Sequence, residues 1–111
     1  KQDKLEFLNK ELGTNFTSLD EIDWFYISQN QKLSENFIRE FKDKVDWEYI
    51  TLNQELSENF IREFVDKVDW WEISTYYNLS KEFLHEFQDR IHWKSFVKRK
   101  DIIDIVIKLI N

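Results

Sequence analysis

Residues 33–41 read LSENFIREF, and residues 56–64 repeat them letter for letter. Shortly after each copy comes DKVDW, at residues 43–47 and again at residues 66–70, so the same step of 23 residues separates both pairs. Self-similarity at a fixed period is the sequence signature of repeat proteins, in which each repeat packs on its neighbours. The step runs through most of the chain, because tryptophan recurs at the same interval at Trp24, Trp47, Trp70 and Trp93.

Each repeat is predicted to contain two short helices. In the second repeat (33–55), Ser34 suits the N-cap of a first helix of about ten residues. Its apolar residues fall on one helical face, at Phe37, Ile38, Phe41 and Val45. Asp46 is of the type that caps a second, shorter helix carrying Trp47. Because such short helices are marginal alone, we predict an all-α fold in which short helical hairpins stack as tandem repeats in a small solenoid-like domain.

The repeated tryptophans are interpreted as packing residues. A large apolar side chain that recurs at the repeat period is typically part of the core between neighbouring repeats. We therefore expect Trp47 and Trp70 to be largely buried between adjacent repeats.

The chain is predicted to be one repeat domain over residues 1–111, with distinct ends. Residues 1–21 form an N-terminal cap, residues 22–96 the repeats, and residues 97–111 an apolar C-terminal cap. The N-terminal cap is expected to contain a helix closed by Gly13, the only glycine.

The last eleven residues allow two predictions. The polar side chains at Asp101, Asp104, Lys108 and Asn111 share one face of a helix, which favours a buried helix. A β-strand stays open, because alternate positions are also aliphatic at Ile103, Ile105, Ile107 and Leu109.

Written out, the motif is L-S-E-x-F-I-x-E-F-x-D-K-V-D-W-x-x-I-[ST]. It resembles the uncharacterised tandem "LSExFI…DxVDWxxIS" repeats of giant-virus, phage and some bacterial proteins, over about residues 22–96. The resemblance implies a helical repeat and brings no activity, cofactor or catalytic residue with it. The fourth repeat departs from the motif, since His92 replaces the capping aspartate and Phe96 replaces the isoleucine.

The composition argues against several kinds of chemistry. The chain has no cysteine and one glycine, so it lacks a thiol nucleophile and a glycine-rich phosphate loop. Its two histidines, His85 and His92, lack the i, i+4 spacing that places two imidazoles on one metal ion. Acids recur in every repeat beside bases one turn away, as on a solvated helix face. We therefore expect no enzyme activity, no metal site and no cofactor.

The charge distribution bears on the class of partner. Residues 1–93 hold 20 acids against 11 bases, whereas residues 94–111 hold 2 acids against 5 bases. An acidic body disfavours direct contact with nucleic-acid phosphates. No apolar run reaches the roughly 18 residues that suggest a membrane-spanning helix. We expect a protein partner, and either a monomer or a homodimer through residues 101–111. No signal segment is recognisable, so the location stays open, with the host cytoplasm expected if the protein is viral.

Comparison of the second repeat with the third (56–78) indicates where a partner could bind. Of 23 aligned positions, 15 are identical, and most differences lie on the second helix and the turn after it. Variation along one edge of a constant scaffold is how repeat proteins diversify a binding surface. The predicted partner-binding residues are Val65, Trp71, Tyr76 and Tyr77, with Glu48, Asn53 and Gln54 on the same edge one repeat earlier. Alternatively, these aromatics pack on the fourth repeat and the apolar tail.

The function expected from these patterns is a non-enzymatic module for protein–protein interaction or scaffolding, directed at host proteins if the source is viral. The alternative is an acidic inhibitor that mimics nucleic acid and occupies a nucleic-acid-binding protein of a host or of a bacterial defence system. Bases interrupt the acidic rows in every repeat, which gives a mixed surface and makes mimicry the second choice.

Overall fold

The computed structural model describes residues 3–99 and 101–111, and every regular element within these ranges is helical. The predicted all-α repeat fold is confirmed. A short 3-10 helix spans Leu19–Glu21. The α-helices are α1 (Lys4–Leu12), α2 (Trp24–Asn30), α3 (Glu35–Glu40), α4 (Trp47–Asn53), α5 (Glu58–Glu63), α6 (Trp70–Tyr76), α7 (Lys81–Glu86), α8 (Trp93–Phe96) and α9 (Ile102–Ile110).

The chain forms two compact parts, an N-terminal half (Lys1–Gln54) and a C-terminal half (Glu55–Asn111). The N-terminal half contains α1 to α4, with α2 packed against α4 and α1 against α3. The C-terminal half contains α5 to α9, with α6 packed against α8. The 23-residue repeat therefore brings the short second helix of one repeat against that of the next within each half.

The predicted capping residues begin the helices. The hydroxyl oxygen of Ser34 accepts a hydrogen bond from the backbone N–H of Phe37 at 3.0 Å, and Ser57 and Ser80 cap α5 and α7 in the same way. Asp46 accepts from the N–H of Tyr49 at 3.2 Å at the start of α4. His92 replaces aspartate in the fourth repeat and still caps, through a ring nitrogen 3.4 Å from the N–H of Ser95. Gly13 ends α1 with φ +67°, as predicted.

The first helix of each repeat is shorter than the ten residues predicted. In the second repeat α3 ends at Glu40, and a tight turn follows in which the N–H groups of Lys44 and Val45 both donate to the carbonyl of Phe41. Phenylalanines of this helix and turn form the core. Phe37 and Phe41 are buried, and their ring centroids lie 4.9 Å apart. The ring centroid of Trp24 lies 5.1 Å from that of Phe41.

Trp47 and Trp70 are mostly buried, as predicted, although neither is completely enclosed. Each indole N–H donates to a carbonyl five residues earlier, that of Lys42 at 2.8 Å and that of Val65 at 2.9 Å. This bond holds the polar edge of the ring beside the preceding turn, near the surface. The tryptophan therefore packs on the core and also satisfies a carbonyl of the turn that ends the first helix.

A buried hydroxyl at the end of the motif links successive repeats. The hydroxyl of Ser28 donates to the carbonyl of Trp24 at 2.6 Å and accepts from the backbone N–H of Asp46 at 3.0 Å. Ser74 makes the equivalent bonds, to the carbonyl of Trp70 at 2.6 Å and from the N–H of His92 at 2.8 Å. We call this arrangement the hydroxyl bridge. It ties the second helix of one repeat to the cap of the next repeat's second helix.

The C-terminal segment is a helix, which decides against the strand alternative, but the prediction that it is buried is wrong. Among its aliphatic side chains only Ile105 is fully buried. The exposed ones are Ile103, Val106, Ile107 and Ile110. Lys108 instead lies on the inner side of the helix, where its ammonium group donates to the carbonyl of Leu79 at 3.1 Å.

Replacing Ser28 with alanine should destabilise the protein by about 1–3 kcal/mol, because the substitution leaves the Asp46 N–H without its acceptor in a partly buried position. Urea unfolding followed by tryptophan fluorescence measures the change. Gln29→Ala, one residue further along the same helix and exposed, is the control and should change stability by less than about 0.5 kcal/mol. Equal effects of the two substitutions would contradict the role given to the hydroxyl.

Candidate functional site

The candidate binding edge is built on α6. Asp69 caps this helix, and its carboxylate accepts from the N–H groups of Trp71 at 3.0 Å and Glu72 at 3.1 Å. Ile73 and Ser74 are fully buried and fix the inner face of the helix. Trp71 in the first turn is consequently directed outward and is 46% exposed, and Tyr76 at the end of the helix is 62% exposed.

Trp71 and Tyr76 are in contact with each other. Their ring centroids lie 6.2 Å apart with an interplanar angle of 78°, an edge-to-face arrangement. Such pairs attract because the positive edge of one ring meets the negative face of the other. The contact favours this arrangement of the two rings, and much of each ring stays open to solvent. An aromatic surface already ordered before binding loses little side-chain entropy on association.

The other two predicted binding residues are less exposed. Tyr77 follows α6 and is half-buried, and its N–H donates to the carbonyl of Ile73 at 3.1 Å. Val65 is also half-buried and lies in the turn after α5, where its carbonyl accepts the indole N–H of Trp70. Of the four predicted residues, Trp71 and Tyr76 thus form the exposed part of the candidate site, which we call the aromatic pair.

The equivalent edge one repeat earlier differs from the prediction at one position. Glu48 and Asn53 are exposed as expected, but Gln54 is buried. Its amide oxygen accepts from the N–H of Leu33 at 2.9 Å, and its amide nitrogen donates to the carbonyl of Gln31 at 2.7 Å. A glutamine can satisfy two backbone groups at once, and this explains why a polar side chain lies inside.

The N-terminal half carries a second exposed aromatic surface that the sequence comparison missed. Phe25 of α2 and Tyr49 of α4 meet edge to face, with centroids 4.8 Å apart and an interplanar angle of 77°. Phe25 is 52% exposed, and Tyr26 beside it is also exposed. The signal was present, because Phe25 aligns with Trp71 at the repeat step. The position also holds Glu48 and Lys94 and was therefore expected to be exposed, but the binding edge was sought only where the second and third repeats differ.

A shallow apolar groove of about 220 Å³ also lies in the N-terminal half, lined mainly by Leu12, Phe16, Ile22, Tyr26 and Ile27. It is smaller than the roughly 300–1,000 Å³ of most ligand pockets. Glu21 lies at its rim, but this carboxylate accepts from Thr17 and Ser18 in the predicted capping box. Those hydrogen bonds to backbone N–H groups lower the pKa of Glu21 below its ordinary value of 4.5. The carboxylate of Glu21 is therefore used in hydrogen bonds that stabilise the local backbone.

The charged groups of residues 3–99 and 101–111 that have assigned partners add no further candidate site. In the C-terminal half Arg62 pairs with Glu86 at 2.8 Å, and Arg90 pairs with Asp66 at 2.8 Å. Within residues 3–99 and 101–111, no three His, Cys, Asp or Glu side chains are grouped so that they could hold a metal ion. Nor does this part of the chain contain a helix long and apolar enough to cross a bilayer.

Comparison with known proteins adds no assignment: no family model, no curated protein and no solved structure matches the chain. The resemblance of the motif to tandem viral repeats accordingly stays a prediction. The candidate site is defined by its geometry alone.

Replacing Tyr76 with alanine should cost only about 0.5–1.5 kcal/mol of stability, roughly the value of an edge-to-face contact, because most of the tyrosine surface is already in water. Ile73→Ala on the buried face of the same helix is the matched comparison and should cost about 2–5 kcal/mol. Thermal or urea unfolding of both variants checks this difference. A larger loss for Tyr76→Ala than for Ile73→Ala would mean that the tyrosine belongs to the core.

Proposed function

We propose that this protein is a non-enzymatic interaction module that binds a protein partner through the aromatic pair of α6. The observation that carries the proposal is that two large aromatic side chains are exposed and in contact with each other. Trp71 and Tyr76 are 46% and 62% exposed and hold each other edge to face. Tryptophan and tyrosine are the residue types that contribute most at protein interfaces.

The position of the aromatic pair on the repeat supports this function. The inner faces of α2 and α6 carry the repeated isoleucine, Ile27 or Ile73, and the serine of the hydroxyl bridge, so they have little freedom to vary. The outer face is where the second and third repeats differ, with Glu48 replaced by Trp71 and Asn53 by Tyr76. A partner that contacts this face would distinguish one repeat from another without any change in the scaffold.

The ion pairs favour an interaction module over a nucleic-acid mimic. A mimic needs acidic groups that are free to meet basic side chains of its target. In the C-terminal half, Glu86 is already paired with Arg62, and Asp66 with Arg90. If the chain shares the viral origin of the repeats that it resembles, a host protein is the partner expected.

Photo-crosslinking tests the proposal. A photoreactive phenylalanine analogue at position 76 should capture a partner from a lysate of the source organism or its host, because the ring lies at the proposed interface. The same analogue at Asp89, an exposed position in the turn after α7, is the control and should not capture that partner. The crosslink should be lost when Trp71→Ala is added.

The yield of the crosslink from position 76 should also be insensitive to salt, since burial of aromatic surface is not screened by ions. A partner that crosslinks equally from positions 76 and 89 would contradict the proposed surface. A partner that is displaced by DNA or RNA, and released as salt increases, would favour the nucleic-acid mimic instead.

A further inference from the structure

The exposed aromatic residues of the N-terminal half stand beside a carboxylate. Phe25 and Tyr26 of α2 are 52% and 53% exposed, and Phe25 meets Tyr49 of α4 edge to face. Glu48 is exposed as well and occupies in α4 the position that Phe25 occupies in α2, one repeat step earlier. Because α2 and α4 pack against each other, these side chains lie on one outward face. We call these four residues the aromatic–acidic surface.

The charge of this surface fits a cation. The faces of aromatic rings are negative and attract guanidinium and ammonium groups. Within residues 3–99 and 101–111, no side chain pairs with the carboxylate of Glu48. The segments 20–31 and 45–54, which include α2, α4 and their caps, hold five acidic residues and no lysine, arginine or histidine. A cation that approaches the rings is therefore attracted by the carboxylate and meets no base on either helix.

The same scaffold in the C-terminal half has a different surface. There α6 packs against α8 as α2 packs against α4. Two repeats after the aromatic–acidic surface, the four equivalent positions hold Trp71, Glu72, Lys94 and Ser95. Lys94 is exposed in the place of Glu48, and the acidic side chain in the place of Tyr26 is buried. The combination of exposed rings and an exposed carboxylate thus belongs to the N-terminal half and does not follow from the repeat itself.

We propose that the aromatic–acidic surface binds an arginine side chain of a protein partner. A guanidinium group is planar, so it can lie against a ring face while its N–H groups donate to a carboxylate. A lysine ammonium group is more strongly hydrated and cannot stack in this way. The contact is exposed and weak when it is made by one arginine alone, so it adds affinity and selectivity to a larger interface.

Nuclear magnetic resonance titration of the whole chain with a short peptide tests the proposal. The probe is a blocked peptide with one arginine between glycines, and its control is the same peptide with citrulline, which keeps the shape and loses the charge. The arginine peptide should shift the resonances of Phe25, Tyr26 and Tyr49. The citrulline peptide should bind at least about threefold more weakly, because it forms neither the cation–π contact nor the ion pair.

Three variants locate the binding site. Glu48→Lys places at this position the residue that the fourth repeat has there, and it should remove the preference for arginine over citrulline. Phe25→Leu keeps an apolar side chain without an aromatic face and should weaken binding by about two- to fivefold, the value of one exposed cation–π contact. Glu6→Gln removes one exposed carboxylate from α1 and should leave binding unchanged.

The dispersion of the amide resonances shows whether each variant is folded. Equal binding of the two peptides, or no shift at any peptide concentration, would overturn the proposal. So would unchanged arginine binding by folded Glu48→Lys. An equal loss of binding in Glu6→Gln would mean that the net charge of −6 attracts the peptide without a specific site, and it would equally overturn the proposal. The crosslink from position 76 involves none of these residues, so either proposal can fail while the other holds.

Discussion

The hydroxyl bridge is the interaction on which the repeat depends. A serine at the end of one second helix donates to its own helix and accepts the N–H of the residue that caps the next second helix, as Ser28 does with Asp46 and Ser74 with His92. A buried N–H without an acceptor is costly, so the bridge specifies how neighbouring repeats pack as well as stabilising them. Thr51 makes the same bond to its own helix, which explains why the motif accepts either hydroxyl residue.

The side chains that each repeat uses to form the core determine which of its surfaces can vary. Phenylalanines from the first helix and an isoleucine from the second fill the core, and the tryptophan covers the turn between them. The outer face of the second helix does not have to fill the core or cover this turn. It carries Phe25 and Trp71 in two repeats and Glu48 in another. The proposed function uses this freedom, since a partner can be recognised there without disturbance of the packing.

Much of the fold could be predicted from the sequence, because period, caps and apolar spacing are local signals. Ser34 and Asp46 cap their helices as predicted, and Gly13 adopts the left-handed conformation expected of it. The errors concern side chains whose partners are distant in sequence. Gln54 is buried and forms hydrogen bonds with the backbone of Leu33 and Gln31, and α9 exposes much of its aliphatic surface while Lys108 contacts the carbonyl of Leu79. The aromatic surface of α2 was missed because Phe25 meets Tyr49 only through the packing of α2 against α4.

Native-state hydrogen exchange of individual amides tests the bridge most directly. The amide of Asp46 precedes a helix and would ordinarily exchange fast, but the bridge predicts that it exchanges as slowly as that of Ile50 inside α4. Asp23 is the internal reference, because the residue eighteen positions before it is Leu5 and supplies no hydroxyl. Slow exchange at Asp46 and His92 with fast exchange at Asp23 is the result that the account predicts. Exchange at Asp46 and His92 as fast as at Asp23 would contradict it.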